Sequence, residues 1–521
     1  MELFEWTLAL LLGSVALTAI SRRINAPYPV LLALAGAAIA LVPNGPEIRI
    51  EPDLALALFI APILLDSAFD TSPRDLRRNV LPLTSLVVVA VLVTVASVAL
   101  FAHHWAGMPL AAAIALGAIV APPDASAAAA ILSDIRLPRR VRQLLDGESL
   151  LNDATAIMVY RLAVAAAVGH ITWSHAGPML ALSAVGSPVA GYILARLYDR
   201  ATARIEDPAS FTVLTFVGTF GVWILAERLG LSAIITTVVY GMTLSHSSSS
   251  RTSARNRVSS YSVWETAVFT LNVLAFVLMG LQARPILARL AGDGLAEALA
   301  FSGAVLAIVI VTRVAYVMTY ASVLRLKHRL LGGPLAASVG PAKTRSALLV
   351  SWSGMRGLVT LATAFALPAD FPFRDQIVLA AFVVVLGTLV IQGLTLKLLV
   401  TRLGLQPDTE VEHEVSHGRQ ALITAAVAAL EGDSSVEADR LRAILTEERQ
   451  VAQDQEAPQR ATAFDELKLR VVTCQRERLT ELRRAGEISD EAFHRLVEDL
   501  DWAELDATPH GGFAPLTTSA V

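Results

Sequence analysis

Between residues 4 and 402, thirteen mainly apolar runs follow one another in this 521-residue chain, at approximately 4–20, 28–43, 54–70, 80–103, 109–133, 140–168, 178–197, 209–228, 231–246, 262–282, 295–324, 342–368 and 376–402. Crossing the hydrocarbon of a bilayer takes about 20 apolar residues per helix. Such runs recur here, so the expected fold is an all-α membrane protein with about 13 transmembrane helices. Asp, Glu, Lys and Arg make up 17% of the chain, against about 25% in an ordinary soluble protein. The first run has no basic stretch before it, and Arg22 and Arg23 follow it. It reads as a first membrane helix and not a cleaved leader.

Charge divides the chain in two. Residues 1–405 carry a balance of +8 and residues 406–521 a balance of −12. A membrane domain over 1–405 is therefore followed by an acidic cytoplasmic tail over 406–521. The tail shows helical periodicity at 440–450, 464–484 and 489–504, the last behind a Ser489 N-cap. The segment from Pro509 reads as disordered, and 246–260, rich in Ser and Arg, as a flexible connection. Alternate loops hold twenty Lys/Arg in one set and five in the other. This asymmetry puts the N-terminus outside and the tail in the cytoplasm. The single cysteine, Cys474, excludes an internal disulfide, and the charge pattern carries no nucleic-acid signal.

Ionisable residues inside the runs are few, and each is costly in hydrocarbon: Asp66, Asp124, Glu148, Asp153, Arg161, Glu265, Arg313 and Arg356. The segment Gly147-Glu148-Ser149-Leu150-Leu151-Asn152-Asp153 puts Ser149 and Asp153 on one helix face, and Glu148 and Asn152 on another. A hydroxyl and a carboxylate aimed at one point suit a hard monovalent cation. A desolvated carboxylate can exchange that cation for a proton. In the fifth run, Pro122 and Pro123 precede Asp124. Two prolines remove two backbone donors and interrupt the helix, freeing carbonyl oxygens beside a carboxylate. In the twelfth run, Ser353-Gly354-Met355-Arg356-Gly357 is a second candidate break. The two runs hold matching places in two six-helix halves, the spacing expected of inverted repeats with broken helices crossing at the midplane.

These residues resemble the cation:proton antiporter-1 family, the NhaP-type sodium/proton exchangers related to the animal sodium/hydrogen exchangers. Pro62-Ile63-Leu64-Leu65-Asp66, the stretch from Asn272 to Gly280, and Val390-Ile391-Gln392-Gly393-Leu394-Thr395 add to the likeness, which covers about 5–405. The resemblance implies a homodimer in a bacterial inner membrane, with a six-helix ion-transport bundle beside a dimerisation part. It implies that Asp153 and Asp124 are the ion-site carboxylates, that Ser149 and the Pro123 carbonyl are further ligands, and that Asp66 is an outer contact. Asp153, Asp124 and Ser149 would then hold Na+. Glu148 would form a buried ion pair, with Arg313 the first choice of partner and Arg356 the second. Asn152 before Asp153 is similar to electroneutral members. Two departures stand out: Pro123 occupies a position often held by Thr, and Asp66 one often held by Glu.

The expected activity is antiport of Na+, and of Li+, for H+ in pH and sodium homeostasis, with K+/H+ exchange the alternative. The chain would be no enzyme, have no resident cofactor and bind no nucleic acid. A membrane sensor that moves no ion but signals through the tail is a second alternative, which carboxylates beside a broken helix argue against. No repeated filter segment suggests a channel.

Overall fold

The computed structural model describes residues 2–24, 26–42, 51–132, 137–168, 177, 182–251, 254–289, 294–331, 344–404, 410–453, 457–485, 487 and 489–507. All regular structure among them is helical. They divide into two compact units, Met1–Asp408 and Thr409–Val521.

Among the described residues of the first unit, six helices are long and apolar enough to cross a membrane: Val80–Ala106, Val141–Ala167, Pro208–Arg228, Asn256–Ala288, Leu295–Lys327 and Arg374–Leu403. Other apolar helices are shorter, and wide π turns occur inside two of the long ones without ending them. Large apolar side chains stand exposed on the outer surface, among them Leu12, Leu81 and Val213, as suits a protein whose solvent is lipid.

The elements used below are α1 (Glu2–Ile24), α2 (Tyr28–Ala40), α3 (Ala61–Asp70), α4 (Val91–Ala106), α5 (Leu110–Val120), α6 (Ala125–Leu132) and α7 (Arg139–Ala167). They continue with α8 (Ser187–Thr202), α9 (Pro208–Arg228), α10 (Ala233–Arg251), α11 (Ala254–Leu281), α12 (Leu295–Leu331), α13 (Thr344–Trp352), α14 (Leu358–Phe365) and α15 (Arg374–Thr388). At close crossings, small residues let the backbones approach, the usual membrane solution. Where α2 crosses α11, a Cβ on Gly36 would overlap the Val277 carbonyl, and one on Gly280 the Ala33 carbonyl.

The segment 246–260, read from sequence as a flexible connection, is mostly helix: α10 runs to Arg251 and α11 begins at Ala254. Two of its polar side chains make bonds to neighbouring segments. The Asn256 amide donates to the Ile205 carbonyl at 3.1 Å, and the Ser260 and Thr212 hydroxyls lie 3.0 Å apart.

The second unit holds α16 (Glu410–Ala429), α17 (Val436–Gln453), α18 (Ala457–Arg484) and α19 (Asp490–Ala507). Its first helix was not anticipated, since its apolar spacing is weak. Ser489 caps α19 by accepting the Ala492 N–H at 3.2 Å. Arg476 on α18 pairs with Asp501 and Glu504 on α19, and Arg483 lies over the Phe493 ring. The segment expected to be disordered from Pro509 lies outside the described residues.

Candidate ion-binding site

The prolines at 122 and 123 do interrupt the fifth run: α5 stops at Val120 and α6 resumes at Ala125. Glycines and an irregular backbone do the same between α13 and α14. The two breaks meet. The Asp124 N–H donates to the Met355 carbonyl at 2.6 Å. The Leu358 N–H, at the start of α14, donates to Asp124 Oδ2 at 3.3 Å. In return Arg356 reaches from the second break to the end of α5, donating to the Val120 and Ala121 carbonyls at 3.0 and 3.1 Å. It also donates to the Gly354 carbonyl. Thr388 Oγ1 on α15 accepts the Arg356 N–H at 2.9 Å.

The exchange has an electrostatic logic. Helix N-termini leave unpaired N–H groups and carry partial positive charge, while C-termini leave carbonyls and partial negative charge. Asp124 therefore sits at the terminus that favours an anion, and Arg356 at the one that favours a cation. Each such placement is worth up to about 2 kcal/mol when partly buried. A Cβ on Gly357 would occupy the space of the Asp124 carboxylate, so the glycine is needed for this approach.

Helix α7 passes the crossing. Asn152, fully buried, donates from its amide to the Pro123 carbonyl at 2.9 Å and accepts the Asp153 N–H on Oδ1 at 2.7 Å. Asp153 is 8% exposed and lies within electrostatic reach of Asp124. Ser149 is on the same helix one turn earlier; its side chain lies outside the described residues. Glu148 faces the other way, into a bidentate pair with Arg313 of α12 at 2.6 and 2.9 Å. Arg313 also donates to the Val350 carbonyl at 3.2 Å. Both partners of this pair are buried, at 2% and 4% exposure. Arg356 thus serves carbonyls, while Arg313 serves the glutamate.

Asp66 has other neighbours. It lies beside Trp264 and near Asp70 and Glu265, on the α3–α11 side. One cleft is lined by Pro123, Asp124, Glu148, Arg313, Ser353, Arg142 and Asp146 together. Thr388, Arg142 and Asp146 were not anticipated as parts of the site. Arg142 and Asp146 stand one helical turn apart on the first turns of α7. A lone threonine in an apolar run gave no signal.

No cluster of three or more His, Cys, Asp or Glu able to hold a transition metal occurs among the described residues. What the crossing assembles is hard oxygen chemistry: two carboxylates and freed carbonyls, with fixed guanidinium charge close by. Such a set can weakly hold an alkali cation or protons in turn.

The sodium/hydrogen exchanger transmembrane family model matches residues 8–402. An uncharacterized Na+/H+ exchanger of Mycobacterium tuberculosis is 30% identical over 520 residues, covering 95% of each chain. A sodium, potassium, lithium and rubidium/H+ antiporter of Bacillus pumilus is 30% identical over 451 residues, covering 82% of this chain and 66% of its own. Among solved structures, the sodium proton antiporter MjNhaP1 from Methanocaldococcus jannaschii superposes with a TM-score of 0.59 at 18% identity, over 78% of this chain and all of its own; that likeness concerns the fold. The chain is a multi-pass membrane transporter, not an enzyme, and it belongs to the sodium/hydrogen exchanger family of cation:proton antiporters.

Proposed function

We propose that this antiporter exchanges Na+, and also Li+, for H+ without net charge movement, through one site formed by Asp153 and Asp124. The observation that carries the reading is the meeting of the two helix breaks, which brings the Asp124 carboxylate within electrostatic reach of the buried Asp153. Two carboxylates that close repel when both are ionised, and a cation or a proton relieves that repulsion. The two cargoes therefore compete. Ser149 and the second lone pair of the Pro123 carbonyl complete the cation's shell, and Asp66 is an outer contact. Asn152 positions that carbonyl and adds no titratable group, which is why the exchange is electroneutral. Na+ and H+ are substrates, and no resident cofactor takes part.

Residues 1–405 form the transport domain, with about thirteen crossings in two inverted repeats; the pair of interrupted helices supports this arrangement. Residues 406–521 form the cytoplasmic tail. The N-terminus lies outside, the protein resides in a bacterial inner membrane and works as a homodimer. In the cell it serves pH and sodium homeostasis.

A second reading is K+/H+ exchange. The relative from Bacillus pumilus, named for sodium, potassium, lithium and rubidium, favours a site that tolerates larger ions. The test is dye-monitored exchange in proteoliposomes with Na+, Li+, K+ and Ca2+ added in turn. Dequenching by Na+ and Li+ alone supports the first reading, and an equal response to K+ the second. No response to any cation would contradict both.

A further inference from the structure

The exposed face of α8 carries a pattern unrelated to ion exchange. Ser187, Gly191, Ala195 and Thr202 bury one side of the helix. On the opposite side, Val185 in the wide turn before α8 and then Val189 and Ile193 form an exposed apolar strip, each at least half exposed. The strip leads into Tyr192, Arg196 and Arg200, spaced one turn apart at the loop end of the helix.

These polar groups are pre-set. Arg196 Nε donates to the Tyr192 hydroxyl at 3.2 Å, and its guanidinium stacks 5.2 Å from the ring centre. Arg200 Nη1 donates to the Arg196 carbonyl at 3.4 Å. Tyr192, Ile193, Arg196, Leu197 and Arg200 line a shallow surface pocket. The partners of both guanidiniums are neutral oxygens, and among the described residues neither arginine meets a carboxylate within ion-pair distance. Two cations are therefore held side by side at the end of an apolar strip.

We propose that this face binds an anionic phospholipid, with its phosphodiester between Arg196 and Arg200 and its acyl chains along Ile193, Val189 and Val185. Guanidinium forks match phosphate oxygens geometrically, and basic pockets at the ends of membrane helices recognise such head groups. A two-fold contact with a second copy fits less well. The same face of the partner would present arginine to arginine, since the acid on these turns, Asp199, is half-buried towards Tyr198 and Tyr240. A water-soluble acidic partner fails for another reason: the flanking residues are apolar and belong in hydrocarbon.

The test uses the full-length protein in detergent, comparing melting temperature with added phosphatidylglycerol, phosphatidylcholine or inorganic phosphate. Phosphatidylglycerol is expected to raise the wild-type melting temperature, and phosphatidylcholine and inorganic phosphate are not. Arg196→Gln/Arg200→Gln is expected to keep its lipid-free melting temperature and lose at least half of that rise. Full retention of the rise in the double variant overturns the proposal. So does an equal rise with inorganic phosphate, which would mean a free-anion site. Should the double variant fail to purify, Tyr192→Phe, which frees Arg196 Nε, makes the same comparison: a smaller rise supports the proposal and an unchanged one overturns it. Efficient disulfide trapping of two copies through Val189→Cys in membranes would place a partner chain on this face and also overturn it.

Discussion

The Asn152 amide donates to the Pro123 carbonyl across a 2.9 Å gap, tying the continuous helix that carries Asp153 to the interrupted one that carries Asp124. One amide thereby fixes how far apart the two carboxylates stand. It also uses one lone pair of the only proline carbonyl that adjoins Asp124. Asn152→Leu removes the donor and leaves that carbonyl unmatched. A lost interhelical bond in a membrane protein typically costs about 0.6 kcal/mol and at most about 2. The variant should therefore fold, melt slightly lower, and show a weakened apparent Na+ affinity that exceeds its loss of maximal rate. Stopped-flow exchange with a Na+ titration measures both.

Neutralising either carboxylate should stop exchange, but with different side effects. Asp153→Asn should leave a folded, inactive protein, since no hydrogen bond to its carboxylate is made among the described residues and only its backbone N–H meets a side chain, Asn152. Asp124→Asn should also be inactive and should lower the melting temperature as well, because Asp124 Oδ2 accepts the Leu358 N–H. Thermal melts of the purified variants beside wild type separate the two. Equal melting of both would contradict the assigned division of work.

The Glu148–Arg313 pair should matter for folding more than for chemistry. Removing one partner of a buried pair costs about 3–5 kcal/mol because the other charge is left alone. Glu148→Gln should therefore reduce expression and melting temperature more than Asp153→Asn does. Glu148→Leu/Arg313→Met, which removes both charges, should recover much of the loss. A Glu148→Gln protein that melts like wild type but exchanges with a shifted pH profile would make Glu148 a titrating group.

Gly357 tests the crossing itself. A Cβ in place of its Cα hydrogen would fall where the Asp124 carboxylate lies, so Gly357→Ala must displace either the break or the acid. Transport should fall by at least about tenfold, the rate cost of about 1.4 kcal/mol, while Gly221→Ala, in open space, should be silent. Initial rates in the same vesicle preparation provide the comparison.

Much of this site could be read from the chain alone, for definite physical reasons. Pro122 and Pro123 lack backbone donors, so a break there follows from covalent structure. Ser149, Asn152 and Asp153 fall within one helical turn, so their neighbourhood follows from helix geometry. Contacts between distant segments are harder. Glu148 and Arg313 are 165 residues apart, and Arg356 was an equal chemical match for the glutamate. Only packing shows that Arg356 is taken by the end of α5. For Asp66, which the resemblance makes an outer contact, the chain alone could not show that α11 brings Trp264 and Glu265 to it. The Ser/Arg composition of 246–260 misled because composition alone cannot reveal that Ile205 and Thr212 would receive its side chains.

The central claim is that cation and proton share Asp153 and Asp124, and initial exchange rate against Na+ at several pH values tests it most directly. Bound protons remove the charge that holds the cation, so linkage requires apparent Na+ affinity to weaken as pH falls through the titration of the site. The rate should be bell-shaped in pH, because low pH starves the site of cation and high pH of protons. Raising Na+ should shift the acidic limb to lower pH, in full-length protein and equally in protein truncated after Leu405. An apparent Na+ affinity that stays constant from about pH 5.5 to about pH 8, a span that burial can bring a carboxylate into, would contradict the shared site. A bell that disappears with the tail would put the pH control in residues 406–521 instead.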